Sequence, residues 1–352
     1  MSPDFTDATI EKIIVHKIGN KYQEEDMVLS KHDIELKDEL MYDLLSKYFL
    51  SPFKKSEEYF QFDHPTNIEL NEVYHYAQTL FNSQLEFYNQ SVNLAKLLYE
   101  CTQHPNIKSG EFYVVYFSDC KVGGEYADAI GLFKSENKET FLKVYENSQE
   151  NLEVDYTQGI NINKLDKGCL IFDQKKGEGY KICVVDTAKG SDDVAKYWKY
   201  HFLGIKPMED QYYHTSNYLD MCKNFVTDVF NDENEVEKSD QLLMLDRSIT
   251  YFKENDSFNV QNFENQVLET PEVIDAFREY KEDFSDKNEV PTYDEFDISD
   301  SAIKGQQKFF KSVIKLDKKF HVYVHGGHHL MEKGYDEDRK MKYYKLFYEK
   351  ES

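Results

Sequence analysis

The chain has 352 residues, 40% hydrophobic and 15% aromatic, with 27 Tyr and 25 Phe; this is enough apolar material for packed cores and excludes a disordered acidic tail. The formal charge of −24 excludes a protein that coats nucleic acid by bulk attraction, because phosphate contacts are carried by Lys and Arg. No apolar run approaches the ~20 residues needed to span a bilayer.

Period-two alternation predicts an opening strand over 10–18. Apolar residues at helical spacing predict a helix over 33–50, stopped by Ser51-Pro52. A short strand at 59–62 precedes the His64-Pro65 break, and 71–100 reads as two helices meeting near Asn82-Ser83. From Gly110 the chain turns to β, with strands at 112–117, 126–133, 141–145 and 152–156. A hairpin follows, built from 168–172 and 180–185 around the turn Gln174-Lys175-Lys176-Gly177-Glu178-Gly179. Successive strands without intervening helices predict an antiparallel meander, with the early helices covering one face.

After Asp186 the period changes to helical. The stretch 192–284 reads as helical throughout, with segments at 212–230, 242–252, 259–268 and 272–280. Residues 281–300 are polar and acidic and make the best candidate boundary. Beyond them 302–310 reads as a short helix, and 313–316, 320–324, 328–331 and 341–348 as strands. The expected fold is α+β: an antiparallel sheet with covering helices over 1–190, a helical middle region over 191–284, and a small β-rich C-terminal module over 285–352.

Several stretches carry a family resemblance. They are the Gly-start strand Gly168-Cys169-Leu170-Ile171-Phe172, the second strand ending in Asp186, and the sole tryptophan, Trp198, shortly before Phe202-Leu203-Gly204. The opening IEKIIVHKIGN (10–20) and the ending KLDKKFHVYVHGGHHLME (315–332) belong to the same pattern. In this order they resemble the bacterial nucleoid-associated proteins of the NdpA/YejK type, over nearly the whole chain. The resemblance implies a non-enzymatic protein of the cytoplasm and nucleoid that associates with DNA, and supplies no residue-level DNA-binding motif.

Charge distribution suggests where DNA would be touched. Residues 301–352 hold 12 Lys+Arg against 7 Asp+Glu, whereas the other 300 hold 30 against 59. The candidate nucleic-acid-binding residues are therefore Lys304, Lys308, Lys311, Lys315, Lys318 and Lys319, opposed only by Asp317. Lys304, Lys308 and Lys311 have the spacing of one helix face. Such a patch contacts DNA backbone non-specifically, positioning without reading bases, and a homodimer would double it. A solvated helix face with phenylalanines turned inward has the same pattern. The alternative function is an acidic adaptor brought to the nucleoid by protein partners.

Three other groups carry residue types suited to chemistry or stacking. His321, His325, His328 and His329 suit zinc or nickel, but no cysteine is near, and histidines at the mouth of a Gly326-Gly327 hairpin account for them. Asp173-Gln174-Lys175 with Glu153 and Asp155 would make a metal-dependent nuclease only if their strands paired. Trp198, with Tyr197, Tyr200 and Phe202, reads as a core anchor before a base-stacking platform. No GxxxxGK[ST], GxGxxG, HExxH or GxSxG motif occurs, and no cofactor or metal is expected. Cys101, Cys120, Cys169, Cys183 and Cys222 are far apart, without a CxxC pair. With an N-terminus lacking a basic start and an apolar core, they predict a reduced cytoplasmic protein.

Overall fold

The protein is described by a computed structural model covering residues 2–146, 151–187, 196–231, 234, 236–288, 290–310, 312–316, 319–324 and 330–350. It packs as two units, Met1–Met208 and Glu209–Ser352.

The first unit is built on strands β1 (Thr9–Ile18), β2 (Phe60–Phe62), β3 (Gly110–Val122), β4 (Glu125–Ser135), β5 (Glu139–Glu146), β6 (Leu152–Gly159), β7 (Lys167–Phe172), β8 (Lys181–Asp186) and β9 (Ile205–Pro207). Seven of them form one sheet in the order β1-β3-β4-β7-β8-β2-β9, antiparallel at each junction. Its central strands are apolar on both sides; every residue of β7 is buried. A sheet of that kind must be covered twice.

Helices α1 (Glu39–Leu50), α2 (Glu72–Asn82) and α3 (Phe87–Glu100) do this from opposite sides. Leu80, Leu94 and Leu98 of α2 and α3 pack with Val114, Leu132, Ile171 and Trp198 on one face. Tyr48, Phe49 and Phe53 pack with Val115, Phe133, Leu170 and Cys183 on the other. The expectation of early helices on a single face is corrected here. The reason is that inward and outward positions of β3, β4 and β7 are equally apolar, so α1 has its own face to cover. Phe49 stacks on Phe133 with ring centroids 4.4 Å apart.

Helix starts follow their caps. The α1 helix begins at Glu39 rather than near residue 33, because the Asp38 side chain accepts a hydrogen bond from Met41 N at 2.7 Å. Asn71 caps α2 by accepting from Tyr74 N at 2.9 Å. Its amide donates to the carbonyls of Leu203 and Gly204, both at 2.9 Å, and of Asp63 at 3.2 Å. One side chain thus joins α2, the end of β2 and the Phe202-Leu203-Gly204 turn, where Gly204 adopts a positive φ of 59°. The helical stretch before it, Tyr197–Leu203, is a π-helix.

The meander also needs correction. Strand β4 pairs directly with β7, while β5 and β6 form a separate two-stranded ribbon. The hairpin of β7 and β8 is as expected. Its turn places Lys175 at φ 56°, a 3-10 turn over Lys176–Glu178, and Gly179 at φ 103°.

In the second unit, helices Gln211–Asp228, Lys238–Glu254 and Pro271–Asn288 surround an aromatic core. Tyr218, Phe252, Phe258 and Phe263 meet there; Tyr218 and Phe258 have centroids 4.1 Å apart. The expected continuous helical run over 192–284 is broken by β9 and by β10 (Ser257–Asn259), which pairs with β11 (Glu295–Asp297). The local cause is Asn259: its side chain caps Val260–Phe263, so the residues before it are extended. Helix Pro271–Asn288 runs into the acidic 281–300 segment. The helices of 211–288 and the strands that follow lie in one unit. Two hairpins end the chain: β12 (Ser312–Leu316) with β13 (Phe320–Val324), and β14 (Met331–Asp336) with β15 (Met341–Leu346).

Candidate nucleic-acid interface

The basic C-terminal segment starts at a short helix, Asp300–Gln306, capped by Ser299 and continued by a 3-10 turn over Gln307–Phe310. Its inner side is fixed by burial: Ile303 and Phe310 are 4% and 5% exposed and belong to the core containing Phe225 and Phe277. Lys304 and Lys308 consequently lie on the exposed side, four residues apart. Lys319, just before β13, is exposed as well. Lys315 sits on β12 opposite His321 of β13. Lys311 and Lys318 lie outside the described residues. Lys304, Lys308 and Lys319 are thus the exposed lysines among the described candidates whose burial is given. Further along, the excess charge is partly matched within the chain, with Lys345 Nζ 3.2 Å from the Glu332 carboxylate.

The other groups separate. His321 is exposed on β13; His325, His328 and His329 lie outside the described residues. Among the described residues no group of three His, Cys, Asp or Glu is arranged to hold a metal. The pairing that a nuclease site would need does not form: Glu153 and Asp155 are on β6, which pairs with β5, while Asp173 follows β7, which pairs with β4 and β8. Burial raises the Asp173 carboxyl above the ordinary carboxylate value, and nearby Asp128 adds to the shift. Lys175 turns to Glu178 at 3.0 Å. Trp198 is fully buried in the first unit's core, 5.1 Å from the Phe202 ring, as expected of an anchor. All five cysteines are unbridged.

One polar cluster was missed in the sequence. Lys134 and Lys167 are both fully buried. Lys134 Nζ donates to Lys108 O at 2.6 Å, Glu136 Oε1 at 3.0 Å and Tyr197 Oη at 3.1 Å. Lys167 Nζ is 2.7 Å from Asp186 Oδ1. Desolvation lowers the Lys134 ammonium's pKa against the opposing pull of Glu136. The signal was present: Ile130, Leu132 and Lys134 share one face by alternation. The two lysines are closed to solvent, and their contacts join β4, β7, β8 and the Tyr197–Leu203 π-helix.

Comparison with protein families decides the relationship. The nucleoid-associated protein YejK family matches residues 14–340. The chain belongs to that family. The match takes in both units and the whole Lys304–Lys319 segment. Comparison with curated proteins finds no match. No helix among the described residues is long and apolar enough to cross a membrane.

Proposed function

We propose that this nucleoid-associated protein contacts DNA itself, through the phosphate backbone, with the basic C-terminal segment as its contact surface and without catalysing a reaction. The observation that carries this reading is the placement of Lys304, Lys308 and Lys319. Each is exposed, while Ile303 and Phe310 of the same segment are turned into a core. Membership of the family supports DNA association. Local charge supports this end of the chain over the remainder, which is strongly acidic and repels phosphate. The contacts are sequence-independent, and the site of action is the nucleoid in the cytoplasm.

A second reading, an adaptor that reaches the nucleoid through protein partners, is favoured by the apolar side chains exposed on β14 and β15. Tyr335, Met341, Tyr343 and Leu346 are each roughly half exposed.

The test is binding of the full chain to a labelled duplex across a salt series. A triple variant, Lys304→Glu with Lys308→Glu and Lys319→Glu, is compared with the unaltered protein. Substitution is cleaner than ending the chain near Asp300, which would strip Ile303 and Phe310 from the core. Binding that weakens with salt and falls in the variant supports direct contact. Absence of binding at low salt by the unaltered chain would overturn it in favour of the adaptor reading.

A further inference from the structure

The ribbon of β5 and β6 carries an apolar face that stands exposed among the described residues. Register pairs Leu142 with Tyr156, Val144 with Val154, and Glu146 with Leu152, and directly opposed residues share a face. On that face Leu142 and Leu152 are 75% exposed, Val154 67%, Tyr156 66% and Val144 64%. The opposite face is polar at most positions, with Lys143 across from Asp155 and Tyr145 donating to Glu153 at 3.0 Å. At the base, Glu139 ties the ribbon down by accepting from Asn161 at 2.8 Å and pairing with Lys164. An isolated two-stranded ribbon is marginally stable in water, so an apolar strip on one points to a surface completed by association.

We propose that this face is a two-fold dimer interface, occupied by the same face of a second copy of the chain. The inference does not rest on DNA contact by the C-terminal segment.

Charge chooses the class of occupant. The ribbon's described ionisable residues are Glu139, Glu146, Glu153 and Asp155 against Lys143, which repels phosphate and anionic lipid. Repulsion between two ribbons is small, because Glu146 is the only acidic or basic residue that the described strands place on the apolar face; the others project from the opposite face. The strip is also self-complementary. With a two-fold axis along the Val144–Val154 pair, Tyr156 of one copy meets Leu152 of the other, and Leu142 meets the aliphatic stem of Glu146. Area is sufficient: at roughly 100 Å² for each large apolar side chain, five residues from each copy bury about 1,000 Å² in total, the lower bound for a specific interface.

The experiment is sedimentation velocity of the full chain from about 1 to 50 μM, beside a Val144→Glu, Val154→Glu double variant. Both positions are exposed, so circular dichroism of the variant should match the unaltered chain. The expected result is a concentration-dependent dimer whose dissociation constant rises at least tenfold in the variant. Independently, Val154→Cys should be joined to its copy by a short bismaleimide that spans the ~10 Å between packed ribbons, a product the unaltered chain does not form. A chain that stays monomeric throughout overturns the proposal. So does a dimer that is unaffected by the double substitution, which would place the contact on another surface.

Discussion

Lys134 of β4 and Lys167 of β7 are direct cross-strand partners, two lysines opposed inside a core. Like charges placed this way ordinarily repel. Here the Tyr197 ring lies against both ammonium groups, at 5.2 Å and 4.9 Å, while Glu136 and Asp186 supply the counter-charges. Tyr197→Phe keeps the ring and removes only the hydroxyl that bonds Lys134 and Glu136; we expect a loss of about 1–2 kcal/mol. Tyr197→Leu also removes the aromatic face and should cost more, by roughly 1–2 kcal/mol of cation–π attraction in a desolvated site. Thermal melts of the two variants check the order; equal melting temperatures would mean that the ring contributes no cation–π attraction.

His16 makes the fold sensitive to mild acid. Its Nδ1 accepts from Ser30 N at 3.2 Å, so Nε2 carries the proton and donates to Ser91 Oγ at 3.2 Å. Burial pulls the imidazole from 6.5 down to about 4. The unfolded chain therefore takes up this proton before the folded one does. The stabilisation is complete above pH 6.5 and is lost as the pH falls towards 4, to the extent of roughly 2 kcal/mol. Denaturant titrations at pH 7 and pH 5 should show the loss in the unaltered chain and a smaller one in His16→Gln.

The β7–β8 turn contains two glycines of different standing. Gly179 has φ 103°, and a Cβ there would meet Phe62 O at 2.6 Å, whereas a Cβ at Gly177 would meet nothing within 4 Å. We expect Gly179→Ala to cost at least about 2 kcal/mol, combining left-handed strain with a backbone clash. Gly177→Ala should fall within roughly 0.5 kcal/mol of the unaltered chain. Paired urea titrations read the difference.

Asn71 is a junction as well as a cap. Asn71→Asp retains the acceptor for Tyr74 N and loses the donor to Asp63, Leu203 and Gly204, setting a carboxylate against three carbonyls. We expect Asn71→Asp to destabilise by about 2 kcal/mol or more and Asn71→Ala by a similar amount. Both are read by chemical denaturation. A neutral Asn71→Asp would show that the cap alone accounts for the residue.

For DNA, each phosphate contact removed lowers the slope of log affinity against log salt by about 0.9. The triple variant at Lys304, Lys308 and Lys319 should therefore flatten the slope by roughly 2–3. A slope left unchanged would move the contact surface away from these lysines.

Periodicity and turn chemistry are local, and they were legible. The alternation over 10–18, the helices of 71–100 and the Lys175–Gly179 turn follow from backbone geometry that each short segment carries in its own residues. The uneven charge of the chain and its family pattern were equally readable, as was the burial of Trp198 among its neighbours. Tertiary structure alone decided the rest. Whether β4 would take β5 or β7 as its neighbour depends on which pairing buries more apolar surface across a long loop, and no window of sequence contains that comparison. The same holds for Lys134, which alternation turns inward beside its neighbour Glu136, but which becomes tolerable there only because the Lys108 carbonyl and Tyr197 arrive from elsewhere in the chain. Of the six candidate lysines, the sequence supplied the charge; Lys304 and Lys308 face water because Ile303 and Phe310 are drawn into a core assembled from the helices of residues 211–288.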